Sequence, residues 1–448
     1  MAVALFAFTQ VASRRWQSFE TNAFDLAFFD QIIFNTSRGR LFETSFVSYN
    51  FAGQHFEPIL LAFLPAYWLG AGPYFLTLSQ AVVAVAAAAP LFFFARRLTD
   101  RPAIACAAVV AYLSNPYLHQ SIAFDFHPEV MAAFPAFVAA WAVVAERRRM
   151  AVIAALAVLL FKEDTVFLAL LLAGFMWSRG LKTEAKLTGG AAAGYALLVV
   201  LVVMPVIRGG ESSDLVERYG YLLPGGLDAG LARDFVLAPA RAARVAFHSE
   251  QLWTVALFLA ATSVCAFRRP RSLFWVVPGL GLALLSNHPQ QRHLQLHYAA
   301  ELVPALIILG VVGAQALAIR VRPSLVAAAL AGPTLVALVF MNPLASANGT
   351  PPSPAHRAAV SEALALLPAD EDVSVSAQSG LLPRLSQRRQ AHEFPAHAAR
   401  AGWIVIDRYG FRSSQSLAAG FESELETVRS TLELVYSRDG VEVFRRVP

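Results

Sequence analysis

Residues 299–341 read AAELVPALIILGVVGAQALAIRVRPSLVAAALAGPTLVALVFM, two long apolar runs with a short cationic break between them. The runs cover 299–319 and 323–341, and the break contains Arg320 and Arg322. About 20 apolar residues in a helix cross the hydrocarbon core of a bilayer. The stretch therefore predicts two transmembrane helices joined by a tight turn.

The composition extends this prediction to most of the chain. Of 448 residues, 57% are hydrophobic and 15% are charged, which excludes an ordinary soluble enzyme and a disordered chain. Mean hydropathy is +0.52. Six more apolar runs lie at 74–95, 103–122, 130–145, 188–207, 251–267 and 272–286. We expect an all-α polytopic membrane protein with about 10 to 11 transmembrane helices.

The cations lie in five loops between these runs, and the positive-inside rule places all five in the cytoplasm. They are Arg96, Arg97 and Arg101; Arg147 to Arg149; Arg179, Lys182 and Lys186; Arg268, Arg269 and Arg271; and Arg320 and Arg322. The net charge is only +5, so no nucleic-acid partner is expected. Cys106 and Cys265 lie in separate apolar stretches and indicate neither a disulfide framework nor a metal site.

Three segments need separate interpretation. Residues 150–178 have cations on both flanks and charges at their centre, which favours a hairpin of two short helices over a single span. Residues 1–12 are apolar but too short to span, and are interpreted as the outer half of a first transmembrane helix. Residues 58–69 contain prolines and predict a helix in the membrane interface.

The composition changes after Asn342. We divide the chain into a multipass domain (1–341), a linker (342–354) and a soluble α/β domain (355–448), with the soluble domain outside the cytoplasmic membrane. Its predicted helices are 355–367 and 415–434, and its predicted strands are 372–377, 403–410 and 441–447. The α/β domain contains no catalytic motif, so a binding or structural role is expected.

The first candidate motif is TNAFDLAFFDQIIF, residues 21–34, on the predicted external face. Asp25 is surrounded in sequence by Phe24, Leu26 and Phe28, a setting that favours a desolvated carboxylate acting as base or metal ligand. The structural alternative is a capped amphipathic helix in the membrane interface.

The second motif is IAFDFHPEV, residues 122–130. Asp125 and His127, two apart in an extended stretch, are expected to point the same way and to bind a divalent cation, Mg²⁺ or Mn²⁺, with Glu129 as third ligand. The alternative is a helix cap followed by a first-turn acid.

Further charged groups predict contacts to substrate or phosphate. Lys162, Glu163 and Asp164 lie at the tip of the hairpin, where a half-helix N-terminus can face an anion. A self-neutralising salt-bridge cluster is the alternative there. The other candidates on the same face are His55, Glu57, Arg292 and His297.

Two external segments leave alternatives open. Arg292 with His297 is expected to contact phosphate, while His293 and His297 could instead form a metal pair on one helix face, or anchor the chain at the interface. The long loop 208–250 contains ESSDLVERYGYLLPGG and is typical of either a substrate-covering loop or an interfacial helix.

Several of these stretches together resemble the membrane proteins of the domain of unknown function 2079 family. They are FDLAFFDQIIFNTSRGRLF (24–42), QHFEPILLAFLPAYWL (54–69), FDFHPE (124–129), FKED (161–164) and HYAAELVPAL (297–306). The resemblance implies kinship with GT-C glycosyltransferases, multipass enzymes that use polyprenyl-phosphate-linked sugars outside the cytoplasm. It also implies that Asp25 matches their central external acid and that Asp125-Phe126-His127 is similar to a metal-binding Asp-x-His motif. The acceptor-sequon motif of oligosaccharyltransferases is absent, so a peptide asparagine acceptor is not expected.

The expected function is an inverting, metal-assisted glycosyl transfer from a polyprenyl-phosphate sugar to an extracytoplasmic hydroxyl. Asp25 is the expected base, and the leaving phosphate is expected to be stabilised by a metal on Asp125 and His127 or by Lys162 and Arg292. The alternative is a transporter or flippase of a lipid-linked or anionic substrate, although the acids gather at one face and no internal repeat is found. A third reading is a noncatalytic anchor for the C-terminal domain, which would bind a protein or glycan partner.

Overall fold

The computed structural model describes residues 1–222, 231–347 and 351–447. Residues 223–226 of the quoted segment in the long loop, 348–350 of the predicted linker and 448 of the α/β domain lie outside the described residues. The described chain is mainly helical, with one small sheet near its C-terminus.

The first half of the chain contains helices α1 (Ala2–Gln17), α2 (Phe28–Ser37), α3 (Leu64–Trp68), α4 (Pro73–Ala86), α5 (Ala88–Thr99), α6 (Pro102–Leu113), α7 (Pro116–Ala123), α8 (Ala133–Val144), α9 (Arg148–Ala157), α10 (Val166–Ser178), α11 (Lys182–Leu198), α12 (Met204–Arg208) and α13 (Asp214–Tyr219). The second half contains α14 (Leu231–Ala246), α15 (Ser249–Thr262), α16 (Val277–Leu284), α17 (Pro289–Arg292), α18 (Leu302–Leu317), α19 (Pro323–Met341), α20 (Pro343–Ser346), α21 (Pro354–Ala365), α22 (Ser414–Ala418) and α23 (Phe421–Thr431). The strands are β1 (Val375–Ala377), β2 (Ala391–Glu393), β3 (Trp403–Asp407), β4 (Glu433–Arg438) and β5 (Val441–Arg445).

Within the described residues, three helical segments are long and apolar enough to cross a membrane: Pro73–Thr99, Lys182–Arg208 and Pro323–Ala345. Five shorter apolar helices accompany them, at Pro58–Trp68, Pro102–Leu113, Pro128–Val144, Pro270–Leu284 and Leu302–Leu317. Proline stands at the start of most of these segments, where its missing N–H costs no helical hydrogen bond. The prediction of a helical, polytopic membrane protein is confirmed.

Two apolar stretches are interrupted at polar residues, one at Asn115 and one at Lys162. The apolar run 103–122 is divided at Asn115, whose side chain accepts hydrogen bonds from the N–H groups of Tyr117 and Leu118 and so caps α7. In the predicted hairpin, α9 and α10 are joined by two short 3₁₀ turns around Lys162, as expected from its charged centre. Both breaks bring polar backbone to the ends of apolar helices.

The C-terminal sheet has the order β2-β1-β3-β5-β4. Strand β1 runs parallel to β2 and β3, and β5 runs antiparallel to β3 and β4. The three predicted strands are present, but the predicted helix 415–434 is wrong in part. Gly420, at φ +89°, separates α22 from α23, and residues 433–438 form β4 because they pair with β5.

The C-terminal α/β domain shares its apolar core with the first loop of the membrane domain. Phe19, Ala23 and Ala27 are buried in the same cluster as Val375 and Val405 of the sheet. Arg384 adds a cation–π contact, since its guanidinium carbon lies 3.9 Å from the ring centroid of Trp16. The α/β domain is therefore packed tightly against residues 16–46 rather than tethered by the linker alone.

A buried polar cluster at Asp30 joins the two parts of the chain. The Asp30 carboxylate accepts hydrogen bonds from Tyr67 Oη at 2.6 Å, Ser386 Oγ at 2.6 Å and Gln387 Nε2 at 3.3 Å. Ser386 and Gln387 belong to the α/β domain. Burial raises the pKa of Asp30 to about 6, against the opposing effect of these three hydrogen bonds.

We predict that Asp30 makes stability depend on pH in the acidic range. Because its folded pKa of about 6 exceeds the ordinary aspartate value of 3.8, the folded state gains stability from the bound proton at low pH and loses that gain as pH rises through 6. Asp30→Asn, which keeps the shape without the charge, should flatten the change in Tm between pH 4 and pH 6 by several degrees. Exposed Glu43→Gln in the same loop is the matched control, and an unchanged slope in Asp30→Asn would contradict the assignment.

Candidate functional site

A π-helical turn, Ala23–Ala27, presents Asp25 at the boundary between the membrane domain and the α/β domain. Its first N–H groups are used: Asn22 N donates to Asp125 Oδ2 at 2.7 Å, and Ala23 N donates to Ser379 Oγ at 3.1 Å. The turn is thereby fixed from both sides. The Asp25 carboxylate remains partly exposed, with Oδ1 lying 3.3 Å from Nε2 of His127.

His127 connects Asp25 to a second histidine. The His127 and His297 rings are stacked with centroids 3.6 Å apart and an interplanar angle of 14°. Phe124 stacks on the same pair, at 5.4 Å from His127 and 6.0 Å from His297. The two imidazoles are buried, so the charge of one strongly affects the other.

The pKa values of the two rings move in opposite directions. Burial by itself would lower the pKa of His127, but the hydrogen bond to Asp25 and the carboxylate of Glu129 raise it overall. Burial, followed by the positive charges of His127 and Lys162, holds the pKa of His297 well below its usual range. Of the two rings, His127 is therefore the one that more readily takes a positive charge.

Asp125 and His127 both contact the first loop, through different groups. Asp125 accepts from Asn22 N and lies 3.4 Å from Arg15 Nη2, whereas His127 Nε2 lies 3.3 Å from Asp25 Oδ1. Burial raises the pKa of Asp125 to about 6, although Arg15 acts in the opposite direction. Asp125 therefore helps to hold the turn that carries Asp25.

Lys162 is buried at the tip of the α9–α10 hairpin and is surrounded by acids. Its Nζ lies 3.5 Å from Glu129 Oε1 and 3.8 Å from Asp164 Oδ2. Glu129 Oε1 also lies 3.7 Å from His297 Nε2. Glu129 thus connects the cation to the histidine pair.

His55 and Glu57 lie beside the same cluster, as predicted for residues on one face. His55 Nδ1 lies 2.8 Å from Glu163 Oε1, and Glu163 Oε2 accepts from the N–H of Phe56 at 3.0 Å. Glu57 is buried nearby, and burial together with the charge of Glu129 raises its pKa well above its usual range.

The predicted metal ligands are not assembled around one point. Asp125 contacts Arg15 and Asn22, His127 contacts Asp25, and Glu129 contacts Lys162. Among the residues that the structure describes, no three His, Cys, Asp or Glu side chains are grouped so that they could hold a metal ion. Metal assistance by Asp125, His127 and Glu129 stays a prediction.

Arg292 and His293 lie apart from the cluster. Arg292 Nε donates to the carbonyl of Ser286 at 2.8 Å, and His293 Nδ1 lies 3.3 Å from Thr254 Oγ1. His293 and His297 share no helix face, because α17 ends at Arg292 and the chain turns through Leu294 and Leu296 at positive φ. Arg218, for which the sequence predicted no role, lines a cavity beside Lys162.

A cavity of about 480 Å³ opens beside Lys162. At its polar end are Lys162, Arg218 and Tyr298, and Arg218 is held by Gln291 Oε1 at 2.7 Å. The polar lining also includes His55, Glu163, Asp164 and Arg208, and the apolar part of the wall is formed by residues of α10, α11 and the π turn that follows α11. Its apolar lining includes Phe167, Leu170, Ala193, Ala196, Leu197, Val200, Leu201 and Met204. The cavity has the chemistry of a groove for an amphiphile with an anionic head.

The family described as "Predicted membrane protein (DUF2079)" matches residues 15–443. The chain belongs to the DUF2079 family. No curated protein matches this DUF2079 protein. The five sequence stretches that resemble this family therefore identified it correctly.

The fold of the DUF2079 protein is similar to that of a solved structure of ArnT from Cupriavidus metallidurans. The structure of ArnT bound to undecaprenyl phosphate aligns with a TM-score of 0.52 at 12% identity, covering 99% of this chain and 96% of that chain. The apo structure of ArnT aligns with a TM-score of 0.43 at 14% identity, covering 98% and 96%. The first alignment shows an ArnT-like fold over nearly the full length.

We predict one imidazolium and one neutral imidazole in the stacked pair. In ¹⁵N-histidine solid-state NMR of the protein in lipid bilayers at pH 6.5, His127 should give the signal of a doubly protonated ring and His297 that of a neutral ring. His127→Gln and His297→Gln assign the two signals, and removal of His297 should leave His127 charged. Two neutral rings at this pH would contradict the role of Asp25 as the partner of His127.

Proposed function

We propose that this protein is a membrane glycosyltransferase that moves a sugar from a polyprenyl-phosphate carrier to an acceptor hydroxyl on the extracytoplasmic face of the cytoplasmic membrane. One observation carries the proposal: a groove with a large apolar wall has the cations Lys162, Arg208 and Arg218 in its polar lining beside the acids Glu163 and Asp164. Lys162 is connected through Glu129 and the histidine pair to Asp25. The bound undecaprenyl phosphate of the structurally similar ArnT supports the assignment of the groove to such a lipid.

The groove accounts for carrier recognition. Its apolar wall would contact the polyprenyl chain, and Leu197 and Leu201 of this wall lie on Lys182–Arg208, a segment long and apolar enough to cross the membrane in which such a carrier is dissolved. Lys162 and Arg218 would contact the phosphate. Hydrogen bonds from such charged donors are shorter and stronger than neutral ones, so they hold the head at one end of the groove.

Asp25 accounts for activation of the acceptor. In the proposed step the acceptor oxygen attacks the anomeric carbon, the bond from that carbon to the phosphate oxygen breaks, and the hydroxyl proton passes to the Asp25 carboxylate. The electron pair of the broken bond remains on the polyprenyl phosphate, where Lys162 and Arg218 stabilise the added negative charge. Attack opposite the leaving group inverts the anomeric configuration. His127, 3.3 Å from Asp25, positions the carboxylate for this transfer.

The first prediction of this proposal concerns Asp25. In cells that depend on a plasmid copy of the gene, Asp25→Asn should reduce the glycosylated product at least 100-fold and cause the polyprenyl-linked sugar to accumulate, because a positioned base contributes roughly 10² to 10⁴ in rate. Lipid extracts analysed by liquid chromatography and mass spectrometry measure both species. Glu43→Gln, an exposed acid in the same loop, is the control. Unchanged glycan and glycolipid profiles in a well-expressed Asp25→Asn strain would exclude this base.

The second prediction concerns the phosphate. Lys162→Gln and, separately, Arg218→Gln should weaken binding of undecaprenyl phosphate to the protein in nanodiscs by about tenfold or more, since each removes a charged hydrogen-bond donor. Neither should change binding of undecaprenol, which lacks the phosphate. Native mass spectrometry measures both ligands.

Two comparisons make this binding test decisive. Exposed Lys186→Gln on α11 is the matched control for loss of a positive charge. Because Lys162→Gln leaves Glu129 buried beside a neutral group and could disturb folding, Arg218→Gln provides an independent measurement. Equal loss of undecaprenol and undecaprenyl phosphate, or no loss of either, would count against a phosphate site.

A further inference from the structure

A second cavity, of about 410 Å³, lies between the first loop and the α/β domain. Phe24 and Phe46 form its wall on the membrane-domain side, with ring centroids 5.4 Å apart. His392, Glu393 and His397 form the opposite wall. Ser45 holds the two walls together, since its hydroxyl donates to the carbonyl of Ala391 at 2.7 Å.

The polar groups of this cavity are fixed and lack a complete set of partners. The Glu393 carboxylate accepts from Ser413 Oγ at 2.6 Å and is mostly buried. His392 and His397 are stacked with centroids 4.0 Å apart. Ser416 is 4% exposed and lines the cavity, and its hydroxyl has no hydrogen-bond partner among the described residues. A buried hydroxyl without a partner is costly, so a ligand hydroxyl is the group that it suits.

The charge of the lining restricts the ligand. Of the described residues that line the cavity, none is Lys or Arg, while Glu393 and Glu424 are acidic. Burial and the neighbouring His397 lower the pKa of His392 to about 4, so this ring is neutral at physiological pH. A phosphate or carboxylate would meet acids and no fixed cation. A neutral ligand with several hydroxyls and an apolar face matches the carboxylate, the buried serine and the two phenyl rings.

The cavity adjoins the turn that carries the proposed base. Ser379 hydrogen-bonds to Glu393 and accepts from the N–H of Ala23, two residues before Asp25. Phe24, the residue next to Asp25, is itself part of the cavity wall. The cavity therefore lies next to Asp25 in the chain, and Lys162 is connected to Asp25 through Glu129 and the histidine pair.

We propose that the cavity lined by Phe24, Glu393 and Ser416 binds a neutral sugar unit of the acceptor. Its description as the acceptor site rests on the proposed glycosyl transfer, but binding of a neutral sugar does not. In this arrangement the α/β domain supplies the acceptor-recognising wall, and the membrane domain supplies the base and the carrier groove.

The test uses the full chain in nanodiscs on an array of immobilised neutral mono- and disaccharide glycosides, with sugar phosphates and sialosides as anionic comparators. We expect wild type to bind at least one neutral glycoside, Glu393→Gln to weaken that binding at least tenfold, and Ser416→Ala to weaken it severalfold. Glu433→Gln, an exposed acid on β4 of the same domain, should bind as wild type does. Ser416→Ala keeps the test valid if Glu393→Gln fails to fold.

The cavity proposal is overturned if wild type binds no neutral glycoside, if it prefers the anionic comparators, or if both cavity variants bind as well as wild type. The undecaprenyl phosphate measurement separates this outcome from failure of the proposed function. If the protein binds a neutral glycoside but not undecaprenyl phosphate, the glycosyltransferase proposal is refuted and the sugar site is retained. If it binds undecaprenyl phosphate and the Glu393 and Ser416 variants bind glycosides as wild type does, only the sugar site is refuted.

Discussion

A buried ammonium group determines how the loops of the membrane domain come together. Lys162 lies at the end of two short apolar helices, and moving its charge away from water is costly unless acids surround it. Glu129 and Asp164 lie within 4 Å of it, and Glu129 in turn contacts His297. These residues come from the loop before α8, the hairpin and the segment before α18. Charge compensation therefore gathers distant parts of the chain at one place, and the resulting cluster is also the candidate site.

The membrane domain and the general position of the site were predictable because they depend on local properties. The lengths of the apolar runs and the alternation of cationic loops predict the helices and their order. Acids between apolar segments carry a desolvation cost, so their presence indicates a functional site. Asp25, His127, Glu129, Lys162 and His297 were accordingly named from sequence and lie together.

The directions of individual side chains were not predictable. The spacing of Asp125 and His127 cannot show that Arg15 and Asn22 contact the Asp125 carboxylate, since these contacts span more than 100 residues. The start of strand β4 was predicted as helix because its pairing with β5 is a tertiary interaction that overrides local propensity. Two partners of Asp30, Ser386 and Gln387, are 356 and 357 residues away, and the wall at Glu393 carries no motif. Such features are decided by packing between distant segments.

The shared core of the first loop and the α/β domain has a consequence for biosynthesis. Ribosomes deliver the first loop early, yet Phe19, Ala23 and Ala27 are buried in one cluster with residues after 355. During synthesis the loop must therefore wait, with these apolar side chains exposed, until the last hundred residues have been made and folded. The hydrogen bond from Ala23 N to Ser379 Oγ, which fixes the turn that carries Asp25, forms only at that moment.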